Sequence, residues 1–149
     1  MKKIDTNFSK PSQQQLNSLL KYYQAGRYSD VEKLSISITK EFPEHPFAWK
    51  VLAVVLNQNG KISEALVACQ KSALLEPGDN GAHNNLGNTF KVLGRLKEAE
   101  ASYRKAILLK PDYAEAHYNL GVTLQELRRL KEAEASYRKA ILLKPDYAE

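Results

Sequence analysis

One cysteine, one methionine and one tryptophan in 149 residues each rule something out. A single Cys69 cannot close an internal disulfide, so no stapled scaffold is available. It stands where other parts of the chain carry an aromatic residue, which reads as a buried structural thiol rather than a nucleophile. No run of 18 apolar residues occurs, leaving no candidate membrane span. Lys2 and Lys3 are followed by a mostly polar stretch to Ser12, so the apolar core of a secretion signal is missing and a cytoplasmic location is expected. The glycosylation sequon Asn7-Phe8-Ser9 then has no route to use. Absent too are a phosphate-binding loop, a dinucleotide fingerprint, an HExxH pair and any paired-cysteine motif. No catalytic residue, no enzymatic activity, no cofactor and no small-molecule substrate are therefore expected.

Charge excludes a second class. The formal net charge is +5, but it is spread along the chain, with no 34-residue stretch exceeding about +3. Arg104, Lys105, Arg138 and Lys139 fall away from the apolar stripe, and Glu100 with Arg104 and Glu134 with Arg138 are i,i+4 pairs of favourable orientation. That pattern is a solvated face. A basic patch interleaved with aromatics is lacking, so nucleic acid is not the expected partner.

What the chain does have is self-similarity. Arg95 to Tyr113 (RLKEAEASYRKAILLKPDY) returns letter for letter as Arg129 to Tyr147, 34 residues later. A fixed period of this size signals stacked structural repeats. The frame extends back to four blocks, 12–45, 46–79, 80–113 and 114–147. Gly26, Gly60 and Gly94 share block position 15, and Pro43, Pro77, Pro111 and Pro145 share position 32. Glycine just past a periodic stretch stops a helix and proline forbids continuation, so each block is two helices and two turns. Leu120, Leu124 and Leu127, then Ala133, Tyr137, Ala140 and Ile141, supply the apolar stripes. Neither helix buries its stripe alone; stacking makes one elongated core, which 43% hydrophobic content can fill. In the fourth block position 15 is Arg128, where a left-handed backbone would have to carry a side chain.

The third block carries His83, Leu86, Gly87, Phe90, Ala99, Tyr103, Ala106 and Pro111, and the fourth carries His117, Leu120, Gly121, Leu124, Ala133, Tyr137, Ala140 and Pro145. This pattern resembles the tetratricopeptide repeat, W-x2-L-G-x2-Y followed by A-x3-F, A and P. The second block matches through Trp49, Leu52, Ala53, Leu56, Ala65, Cys69, Ser72 and Pro77. The resemblance implies an all-α fold, a right-handed α-solenoid of helix-turn-helix repeats. Residues 1–11 form a leader expected to be flexible, residues 12–149 the array, and residues 12–45 an atypical, cap-like first repeat. In that block Leu16, Leu19, Leu20 and Tyr23 make a stripe rotated by one residue. Ala148 and Glu149 repeat Ala114 and Glu115, which reads as the start of a truncated fifth repeat. His83 and His117 occupy the place of Trp49 and are read as packing plugs, because packed neighbouring helices sit about 8–10 Å apart and cannot share one metal.

In this family the first helices of successive repeats line an inner groove through block positions 2, 5, 6, 9, 12 and 13. Mapped here, these include Phe47, Lys50, Val51, Asn57, Asn84, Asn85, Asn88, Lys91, Tyr118, Asn119, Val122 and Gln125. Asn85 and Asn119 stand at one position, 34 residues apart, and an amide both donates and accepts, as an extended peptide backbone does. An asparagine ladder there is similar to the repeat region of O-linked N-acetylglucosamine transferases. The two asparagines are expected to carry no packing duty. The carboxylate clamp of the co-chaperone class would fall on Lys50, Val54, Asn85, Glu115 and Asn119, of which two fit the pattern and Glu115 repels a carboxylate. The expected function is thus a protein-interaction module holding a protein or peptide segment in its groove. The alternatives are the non-catalytic targeting region of a larger glycosyltransferase or sulfotransferase, and self-assembly. A homo-oligomer would form through the last repeat, where Tyr137, Ile141 and Leu143 lack a following helix.

Overall fold

Start and stop signals act where the blocks place them. The fold comes from a computed structural model that describes residues 10–148. Residues 1–9 of the expected leader, with the Asn7 sequon, and Glu149 lie outside the described residues. Among the described residues there are eight α-helices and no strand, so the fold is all-α and built from repeated helical hairpins. The chain divides into two compact units, residues 1–75 and 76–149. The first contains α1 (Gln13–Gln24), α2 (Tyr28–Glu41), α3 (Pro46–Gln58) and α4 (Ile62–Leu75). The second contains α5 (Asn80–Val92), α6 (Leu96–Leu109), α7 (Ala114–Glu126) and α8 (Leu130–Leu143), followed by a 3-10 turn at Pro145–Ala148. Within each unit, helices adjacent in sequence pack on one another, and in the second unit α5 also meets α7. None of the described helices is long and apolar enough to cross a membrane.

Helix starts follow local chemistry. Ser12 and Gln15 form a reciprocal capping box on α1, the Gln15 amide donating to Ser12 Oγ at 3.1 Å and the Ser12 amide to Gln15 Oε1 at 2.8 Å. On α5 the Asp79 carboxylate accepts from the amides of Gly81 and Ala82 at 2.9 and 3.3 Å.

The first helix of every block ends in the same way. The Gly94 amide donates to the Lys91 carbonyl and the Arg95 amide to the Phe90 carbonyl, both at 2.9 Å, and α7 repeats this with Arg128 to Gln125 and Arg129 to Leu124. This double bond pattern needs a left-handed residue at its centre. Gly26, Gly60 and Gly94 have φ of 71°, 75° and 73°, and Arg128 adopts 64°. Arg128 therefore carries the strain that glycine avoids. Arg128→Gly is expected to stabilise the second unit by about 1 kcal/mol. A thermal melt that is unchanged or lower in this variant would contradict the assignment.

The plug at block position 4 keeps its role while its chemistry changes. Trp49 Nε1 donates to the Pro43 carbonyl at 2.8 Å, and Nε2 of His83 and of His117 reach the Pro77 and Pro111 carbonyls at 2.9 and 2.8 Å. A carbonyl only accepts, so each imidazole carries its proton on Nε2. Each ring thus ties the start of a first helix to the turn before it.

Block positions 8 and 24 show a second regularity, one of volume. A Cβ added to Gly87 would lie 2.6 Å from Cε1 of Tyr103, and one on Gly121 2.8 Å from Cδ1 of Tyr137. In the first unit the same positions are Ala53 with the buried Cys69, and Leu19 with the buried Ser35. As the first residue grows the second shrinks, which keeps the hairpin core filled. Helices α6 and α8 have identical sequences, yet Ser102 and Tyr103 are buried on α6 while Ser136 and Tyr137 are partly open on α8. Leu74, Leu108 and Leu142 are all strongly exposed, one each on α4, α6 and α8.

Candidate functional site

Asn84, Asn88 and Lys91 recur at helical spacing along α5, and Asn119, Val122 and Gln125 lie on α7, the helix that α5 meets directly. The contact is polar. The Asn119 amide nitrogen donates to Asn84 Oδ1 at 3.4 Å and to Asn88 Oδ1 at 3.2 Å. Asn88 Oδ1 also accepts from the Tyr103 hydroxyl at 2.6 Å, and Asn84 Nδ2 donates to Glu115 Oε1 at 3.2 Å. One bracket of amides therefore joins α5, α6 and α7. Burial, reinforced by the charges of Glu115 and Glu126, pushes the Tyr103 phenol far above its ordinary range, so it acts as a fixed donor. Burial beside Glu115 raises the Tyr113 phenol in the same direction.

This arrangement corrects one expectation. Asn119 was read as free of packing duty, but it is 8% exposed and spends its amide hydrogens inside the unit, while Thr123 Oγ1 donates to its carbonyl at 2.9 Å. Asn84, at 1% exposure, is structural as well. Asn85 differs. Its side chain is half-buried and forms no hydrogen bond among the described residues, so its donor and acceptor remain available. Asn119→Ala is expected to cost about 1–3 kcal/mol, because it removes the donor that the buried Asn84 Oδ1 and the half-buried Asn88 Oδ1 share, whereas Asn85→Ala should stay within about 0.5 kcal/mol. Chemical denaturation of the two variants side by side checks the contrast; equal losses would refute it.

Of the remaining candidates, Tyr118 is exposed but already stacked on Tyr147, with centroids 5.2 Å apart and planes at 9°, and it meets Tyr137 at 5.7 Å. Gln125 Oε1 accepts from the Tyr137 hydroxyl at 2.8 Å. Val122 and Lys91 are half-buried on α7 and α5. In the first unit Lys50 and Asn57 lie on α3 and each has an interaction of its own. There the surroundings are apolar. Leu20, Tyr23 and Val54, which sequence reasoning did not name as site residues, line a cleft with Phe47, Lys50 and Val51. For Leu20 and Tyr23 the signal in the sequence is the rotated stripe of the first block, which by itself reads as a cap.

On the opposite side of the second unit, the expected pairs form. Arg104 Nη2 meets Glu100 at 2.9 Å and Arg138 meets Glu134 at 2.6 Å. Arg129 adds contacts to Glu100 at 2.7 Å and Glu132 at 2.6 Å, closing a ring with Arg104 that ties α6 to the start of α8.

Comparison with known proteins fits this geometry. Residues 87–127 match the family model for the TPR repeat, and residues 114–147 match that for the tetratricopeptide repeat. Tetratricopeptide repeats occupy this stretch. Helices α7 and α8 are one complete tetratricopeptide repeat, and the bracket from α5 to α7 links it to the hairpin before it. No curated protein matches the sequence at a significant level. Among solved structures, MamA residues 41-end from Desulfovibrio magneticus RS-1 is similar at 20% identity and a TM-score of 0.82, over 89% of this chain and 75% of that one. YrrB, a TPR protein with an unusual peptide-binding site, shares 23% identity at a TM-score of 0.81, over 89% and 68%. A thermophilic TPR protein in Thermus thermophilus shares 26% at 0.76, over 89% and 74%. These similarities establish the tetratricopeptide-type fold.

Proposed function

We propose that the chain is a protein-interaction module whose first-helix face takes an extended peptide segment of a partner. The observation that carries this reading is Asn85, whose amide stays unused beside a bracket that consumes its neighbours. A side-chain amide matches the alternating donors and acceptors of an extended backbone, and the bracket holds α5 rigid, which reduces the entropy lost on binding. The peptide-binding site named for YrrB supports the same use of a related fold.

The test is selection of a displayed random nonapeptide library on the full chain, followed by anisotropy titration of a selected, labelled peptide. Asn85→Ala should weaken binding roughly two- to tenfold, the equivalent of one hydrogen bond of about 0.5–1.5 kcal/mol, with melting unchanged. Selected peptides that bind Asn85→Ala as tightly as the parent would refute the reading.

A further inference from the structure

In the first unit the first-helix face changes character. Between α1 and α3 lies a cleft of about 200 Å³ walled by Leu20, Tyr23, Phe47, Val51 and Val54, with Lys50 among its lining and Leu19 at its floor. Leu19 is fully buried, but Leu20 is 47% and Tyr23 36% exposed, and both line the same cleft. Gln58 Nε2 donates to the Tyr23 hydroxyl at 3.3 Å, and the Tyr23 ring meets Tyr28 edge-on at 5.5 Å, so this wall is held in place from two sides. Around it, Gln13, Asn17 and Gln24 are polar, and the half-buried Leu16 continues the apolar stripe one turn before Leu20. A volume of about 200 Å³ suits one large side chain rather than the row of them that a helix would bring. Lys50 is the sole charged residue at the groove positions of α1 and α3, and no carboxylate stands among them. It already has an interaction within the chain, so it biases charge preference without clamping.

Extending the peptide-binding reading on which it depends, we propose that this cleft is an anchor subsite for one large aliphatic or aromatic side chain of a peptide with acidic residues beside the anchor. An apolar pocket with one cation at its edge selects both features together: the side chain leaves water for Leu20, Tyr23 and Val54, and the flanking carboxylates meet the only charge present.

Peptides selected from the random nonapeptide library on the full chain are expected to share a Leu, Ile, Phe or similar residue with Asp or Glu within two positions. One such synthetic peptide is then titrated. Leu20→Gln, a change at an exposed site, should weaken it about tenfold with helicity unchanged by circular dichroism, and Leu20→Met should retain affinity within about twofold. Lys50→Glu should weaken it several-fold at low salt, and exchanging the peptide's acids for lysines should restore binding to that variant. Selected peptides without an apolar anchor, or equal binding by Leu20→Gln while Asn85→Ala is impaired, would overturn the anchor and leave the groove reading standing. Absence of any peptide binding would overturn both. A concentration-dependent doubling of mass in sedimentation that Leu20→Gln relieves would assign the cleft to a second copy and overturn the peptide proposal.

Discussion

Tyr103→Ala is expected to lower stability by about 3–5 kcal/mol, and Tyr137→Ala by clearly less. The two tyrosines occupy the same place in identical helices, so local sequence predicts equal losses. Burial separates them. Tyr103 is fully enclosed and is the largest of the fully buried side chains, whereas Tyr137 is partly open. Removing the Tyr103 ring leaves a cavity beside Gly87 that has no side chain to collapse into it. It also withdraws the hydroxyl that Asn88 Oδ1 accepts at 2.6 Å, loosening the bracket from α5 to α7. Urea denaturation followed by circular dichroism measures both variants, and equal shifts in midpoint would show that the two sites are equivalent. Alkaline pH gives a milder view of the same residue. The unfolded chain releases the phenolic proton near pH 10 while the folded chain keeps it, because burial raises the folded value. The unfolded state then binds fewer protons, so this residue's contribution is complete below about pH 10 and declines as pH rises beyond it. Tyr103→Phe should remove that part of the alkaline loss.

Gly87→Ala is expected to destabilise by about 1–3 kcal/mol, although alanine favours a helix over glycine by about 1 kcal/mol. The new methyl would sit 2.6 Å from the Tyr103 ring, whose complete enclosure leaves nowhere to move. At Gly121 the ring of Tyr137 can yield toward solvent, so the same change there should cost less. The first unit shows how the conflict is resolved: Ala53 accompanies Cys69, and Leu19 accompanies Ser35. Gly87→Ala combined with Tyr103→Cys should therefore lose less than the two single changes added together, by about 0.5–3 kcal/mol of coupling. Strict additivity in the denaturation cycle would mean that the two positions do not share one volume.

The 34-residue period alone determined the helical hairpins, their boundaries and their turns, because glycine at position 15 and proline at position 32 act on the backbone next to them. It also located the strain at Arg128, since the stop of α7 demands a left-handed residue whatever its side chain. Pairing of Glu100 with Arg104 was legible for the same reason, a spacing of four along one helix. Only the tertiary structure decided which groove residues are available. Asn85 and Asn119 share a repeat position, but α5 offers Asn84 and Asn88 to Asn119, and the amide that looked ready for a ligand is consumed as a joint. Likewise Leu20 and Tyr23 read as a cap's apolar stripe until α3 stood opposite and made them the wall of a cleft. Such roles depend on what the neighbouring helix presents across the interface, a distance of many residues in sequence, and no local signal encodes that.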